Sequence, residues 1–165
     1  MRLKVEQIEQ FEEEGYLIAE GALEDSDLEP VIEEYEAHID RQARELLAAG
    51  KISELHEEAP FDKRLALISR ECTEIYPGLD IMQLRGKATF EFLANENLLD
   101  LVEGIVGPEI TCSPIHHIRA KLPSGLTPTG GDAHVVAWHQ DAGVTWAEAD
   151  PFSILTVWFP LVPAT

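Results

Sequence analysis

Residues 137–146 read AWHQDAGVTW, and the His-x-Asp inside them is the pattern best suited to chemistry. Side chains of an extended segment alternate sides, so His139 and Asp141 share one side while Trp138 and Gln140 take the other. An imidazole nitrogen and a carboxylate oxygen brought together this way supply two adjacent donors of a 2-His-1-carboxylate facial triad. Such a triad leaves positions on Fe(II) open for a co-substrate and O2. The third ligand must then be a distant histidine. Six histidines and nine aspartates are spread over 165 residues. Independent placement yields about 0.3 such tripeptides, so spacing alone does not establish a metal site. A polar His/Asp pair at a strand end is the competing reading.

The other histidines fit a metal less well. His116 and His117 are adjacent and would face opposite ways in a strand, and His134, five residues before His139, falls on the opposite side. His38 and His56 lie in acidic, helical surroundings and read as solvent-exposed. No nucleophile elbow and no Walker-type glycine loop is present, so hydrolase and nucleotide-binding readings lack a positive feature.

Helices must carry the first hundred residues. Ile8 and Phe11 give a short amphipathic turn that stops at Gly15, followed by the brief extended YLIAEG. Ser26–Glu29 reads as a capping box with Pro30 in the first turn. Leu28, Val31, Ile32, Tyr35, Ile39 and Leu46 then recur at helical spacing as far as Gly50. Leu65, Ile68, Cys72 and Ile75 suggest a further helix closed by Pro77 and Gly78, with Cys72 as a small core residue. Residues 84–93 fit either an extended segment or a helical turn. A helix from Glu96 to Val106 uses Leu98, Leu101, Val102 and Ile105 and ends at Gly107 and Pro108. From Glu109 the runs ITCSPIHHIRAKLP, HVVAWHQD and FSILTVWFPLV are β-branched and aromatic, separated by Pro and Gly, and read as strands. The predicted domain is therefore helical over 1–108 and β-rich over 109–165.

Twelve Lys and Arg against 31 Asp and Glu give a net charge of −19. That excess argues against nucleic acid or an anionic membrane as a partner. Cys72 and Cys112 form no CxxC motif, and neither a disulfide framework nor a zinc knuckle is suggested. No apolar run approaches the roughly 20 residues of a membrane span, and the N-terminus lacks the apolar core of a signal peptide. A soluble, cytoplasmic protein fits these features.

WHQD at 138–141 and ILTVWFPLVPAT at 154–165, with the opening FEEEGYLIAEGAL, resemble the phytanoyl-CoA dioxygenase family of Fe(II)/2-oxoglutarate oxygenases. The resemblance implies an α+β fold, with N-terminal helices packed on the first strands of a double-stranded β-helix of the jelly-roll or cupin-like kind. It implies His139 and Asp141 as metal ligands, and Lys121 and Trp158 as residues near 2-oxoglutarate. Related halogenases carry Ala where Asp141 stands, so hydroxylation of a small organic substrate is implied rather than halogenation. The family continues into strands bearing a distal His and an Arg for the co-substrate, whereas no His or Arg follows Asp141 here. The expectation is the N-terminal part of a longer domain, inactive alone. Two alternatives stand beside it: a non-catalytic β-rich binding module, and a cupin-like metalloprotein that needs no 2-oxoglutarate.

Overall fold

The structure, a computed structural model, describes residues 2–79, 84–113, 118–122, 139–141, 147–149, 151–152 and 154–163. Its helices in chain order are α1 (Val5–Glu14), α2 (Asp25–Ala48), α3 (Phe61–Glu71), α4 (Lys87–Phe92) and α5 (Glu96–Val106). Single 3-10 turns lie at Thr73–Gly78 and Ala147–Ala149. Among the described residues no helix is long and apolar enough to cross a membrane.

Helix α2 is the centre of the packing. Val31, Tyr35, Ile39 and Ala43, each four residues after the last, form one buried stripe along it. Against α2 lie α3, α4 and the Thr73–Gly78 turn, which add Ile68, Ile75 and Phe92 to the core, with Ile52, Leu79 and Leu84 from the connections. The start of α2 is earlier than its Ser26 box predicts. The Glu24 N–H donates to Asp27 Oδ2 at 2.9 Å, and Asp27 also accepts from Asn95 Nδ2 at 2.8 Å and Asn97 Nδ2 at 3.1 Å. Ser26 thus lies within the helix, and Pro30 falls in the second turn, where it leaves one carbonyl without its helical donor. The far end closes at Gly50, with φ of 67°. Its N–H meets the Leu47 carbonyl at 2.9 Å while the Lys51 N–H reaches back to the Leu46 carbonyl, also at 2.9 Å. This Schellman closure needs the left-handed conformation that glycine adopts most readily.

Ile68 and Ile75 both enter the core, but not on one continuous helix. The chain extends at Cys72, with φ of −147° and ψ of 113°, and resumes as a 3-10 turn. An α-helix running on past Cys72 would place Pro77, which has no N–H, in its interior. Cys72 is half-buried against the core, as expected of a small apolar residue. Residues 87–92, for which the sequence left two options, are helical because of a distant carboxylate. Glu34 of α2 accepts from the Ala88 N–H at 2.8 Å, the Thr89 N–H at 3.3 Å and the Thr89 hydroxyl at 2.7 Å. Helix α5 has the predicted limits. The Asn95 side chain caps it by accepting from the Leu98 N–H at 3.1 Å, and Gly107 ends it with φ of 86°.

The expected β-rich half does not appear among the described residues. Among the described residues there is no strand and no sheet, which overturns the α+β expectation of helices packed on a double-stranded β-helix. Parts of two of the runs that suggested strands, 118–122 and 154–163, lie instead against the helical core. Ile118, Ala120 and Leu122 turn inward while Arg119 and Lys121 turn outward. In 154–163, Phe159 and Leu161 pack on the core. Phe159 meets Phe92 of α4 with ring centroids 4.7 Å apart and planes at 51°. Alternation of apolar and polar side chains suits an extended chain on any apolar surface. It does not by itself require a paired neighbour. The expected strand before His139, the Pro- and Gly-rich residues 123–133, and His116, His117 and His134 lie outside the described residues.

Two consequences are measurable. A Cβ on Gly86 would stand 2.2 Å from Glu34 Oε2, so Gly86→Ala must displace the carboxylate that caps α4. The expected loss is about 1–3 kcal/mol in urea unfolding, and an unchanged midpoint would contradict the cap. Acid should unfold the protein through the same groups. Burial pushes the Glu34 carboxyl up, but hydrogen bonds from Thr89, Ala88 and Gly86 outweigh it and hold the group low. The Glu24 N–H, with Asn95 and Asn97, does the same for Asp27; Arg64 and Arg44 lower Asp40; Ser53 lowers Glu71. Carboxylates depressed on folding stabilise above their ordinary values of about 4 and lose that contribution as pH falls through the depressed ones. The melting temperature should fall steadily below about pH 4, and by a smaller amount in Glu34→Gln.

Candidate metal centre

His139 and Asp141 converge. Their side chains turn to one side, with Nε2 of His139 3.3 Å from Oδ1 of Asp141, and they are 51% and 46% exposed. Gln140 between them is exposed as well. The second oxygen of Asp141 is engaged from another part of the chain: the Thr156 hydroxyl donates to Oδ2. Thr156 belongs to the segment that Phe159 and Leu161 tie to the core, so its hydroxyl links the polar pair to the helical body. The sequence did not single out Thr156. Its signal was there all the same, as the one hydroxyl in the run Ile154–Leu161.

Adjacent donors on an octahedral ion, each about 2.1 Å from it, stand about 3 Å apart. The His139–Asp141 separation therefore fits two neighbouring positions on a divalent metal. Among the described residues no third His, Cys, Asp or Glu completes such a group. Lys121 is exposed on the outward side of 118–122. Trp158 is 70% exposed, an open indole rather than a core aromatic. It follows Thr156 by two residues, and an extended chain keeps that spacing on one side. The structure thus brings together His139, Asp141 and Thr156, with Trp158 exposed two residues beyond Thr156.

His38 and His56, the other described histidines, serve the scaffold. His38 is buried in α2, 6% exposed, contrary to the expected exposure. Arg41 Nη2 lies 2.9 Å from its Nδ1. His56 adopts φ of 50°, with Nδ1 3.8 Å from Glu54 and Nε2 3.7 Å from Glu71. It lines an open groove of about 600 Å³ formed by Leu47 and residues 53–59. The best-buried charge, Arg64, is spent on structure. It donates from Nη2 to Asp40 Oδ1 at 2.7 Å and from Nε to the Leu55 carbonyl at 3.1 Å, joining α3 to α2. Asp40 in turn accepts from Arg44 Nε at 2.8 Å.

Fold and site together define a helical domain carrying a half-exposed His-x-Asp pair at the foot of an apolar extended segment. Comparison with protein-family models, curated proteins and solved structures gives no match.

The exposure of Trp158 sets a direct test. In a Trp138→Phe/Trp146→Phe protein, where Trp158 is the remaining tryptophan, emission should sit at the long-wavelength, water-exposed limit and be readily quenched by acrylamide. Blue-shifted, protected emission would place the indole in a core instead.

Proposed function

We propose that the chain serves in Fe(II)/2-oxoglutarate-dependent hydroxylation of a small organic substrate, with His139 and Asp141 as two of the metal donors. One observation carries the reading: the 3.3 Å approach of His139 Nε2 to Asp141 Oδ1 at the spacing of neighbouring donors. The resemblance of 138–141 and 154–165 to the phytanoyl-CoA dioxygenase family supports it. Bound there, Fe(II) would supply the oxidising chemistry, in which O2 and 2-oxoglutarate give succinate and CO2, one oxygen atom of O2 entering succinate and the other turning a substrate C–H into C–OH.

The protein's own groups have simpler tasks. His139 presents a nitrogen lone pair, and Asp141 presents one anionic oxygen that offsets part of the metal's charge. The carboxylate at Asp141 keeps a position from halide, which favours hydroxylation. In this reading the Lys121 ammonium attracts a carboxylate of 2-oxoglutarate, and the exposed Trp158 indole offers a flat wall beside it.

A second reading has its own support. The same distance suits a plain His/Asp polar contact on a non-catalytic binding module, and no third donor is found among the described residues. Anaerobic Fe(II) titration separates the two. Wild type should bind the metal, and His139→Ala and Asp141→Ala should weaken binding at least about tenfold, since one remaining donor of the pair holds a labile ion poorly. Asp141→Glu, longer by a methylene, should keep part of the affinity, and Gln140→Ala nearly all of it. Binding by His139→Ala equal to wild type would leave the pair as a polar contact only.

A further inference from the structure

We propose that Thr156 is a positioning residue whose hydroxyl, on Oδ2 of Asp141, fixes that carboxylate as a one-oxygen donor with Oδ1 beside His139 Nε2. The inference rests on the metal reading of the pair and assigns a role to a residue outside it. Carboxylates bind divalent ions through one oxygen or both. A carboxylate that chelates with both oxygens takes up two positions, one of which a co-substrate or O2 would otherwise fill. Here the two oxygens are divided: Oδ1 stands 3.3 Å from the imidazole nitrogen, and Oδ2 accepts from Thr156.

The placement of Thr156 gives this contact its weight. It is the one hydroxyl in the run Ile154–Leu161. Phe159 and Leu161 pack that segment on the helical core, and Phe159 is locked against Phe92. The hydroxyl therefore projects from an anchored backbone, while His139 and Asp141 are both about half exposed. A hydrogen bond from an anchored donor orients an exposed ligand, which is the usual work of groups behind a metal's direct ligands. Thr156 is itself exposed, so its replacement tests the hydroxyl rather than the packing.

The experiment is Co(II) titration of the full chain, followed by affinity and by the visible absorption of the bound ion, which reports coordination number. Thr156→Ser should retain both. Thr156→Val, which keeps the shape and loses the hydroxyl, should bind about 10- to 100-fold more weakly and with an altered Co(II) spectrum. Circular dichroism of the two variants should match wild type. If wild type binds Co(II) and Thr156→Val does so with the same affinity and spectrum, the positioning role is overturned while the metal reading stands. Equal loss in Thr156→Ser would assign the effect to the geometry of the threonine and overturn the hydroxyl's role. No Co(II) binding by wild type would defeat the metal reading itself, and this inference with it.

Discussion

A single carboxylate on the central helix determines where α4 begins and how it sits on α2. Glu34 reaches 54 and 55 residues along the chain to take up the first free N–H groups of α4. A helix of six residues has little stability of its own. It persists because its end is closed from outside and because Phe92 enters the core that α2 organises. The glycine at 86 is the other half of the arrangement, since the carboxylate occupies the space a side chain would need. Charge and packing here fix the same relationship, which is why α2 and α4 sit together in one register.

Several ionic groups of the helical body are multiply bonded: Asp27 joins the start of α2 to the entry of α5, and Arg64 joins α3 to α2 and to the loop before it. They hold elements together and leave little capacity for a ligand. The His139–Asp141 pair is different, half exposed, with Nε2 and Oδ1 3.3 Å apart. A polar pair with oxygen and nitrogen facing solvent is poorly suited to stabilising a fold, because water competes for it. It is better suited to meeting something from solution.

How much of this the sequence revealed depends on where the deciding interaction lies. Helix α5 was legible end to end because its apolar spacing, its Asn cap and its Gly107 stop are all local. The beginning of α2 was misjudged by the Ser26 box because Asp27 is held by Asn95 and Asn97, beyond any local window. Nothing near residue 87 says that Glu34 will cap a helix there. Exposure expected for His38 failed because it flanks the Tyr35–Ile39 stripe and shares its burial. Alternation along a strand predicts that His139 and Asp141 share a side; they do approach each other, but Asp141 lies in a 3-10 turn and no strand is found among the described residues. β-branched runs report a preference for extension against an apolar surface, and 118–122 and 154–163 meet that preference on helices. Thr156 was visible only as an odd hydroxyl, without the partner that gives it meaning.

The ring contact between Phe92 and Phe159 has a dynamic consequence. It ties the segment that holds Asp141 to the shortest of the α-helices, so the two belong to one unit of local opening. When α4 frays, the footing of the 154–163 segment loosens with it, and the hydroxyl on Asp141 loses its fixed origin. Amide protection at Ala88 and Thr89 and the geometry around His139 would then fluctuate together, on the timescale of sub-global opening rather than of side-chain rotation. The sharpness of the polar pair is thus governed by the breathing of a helix to which neither of its members belongs.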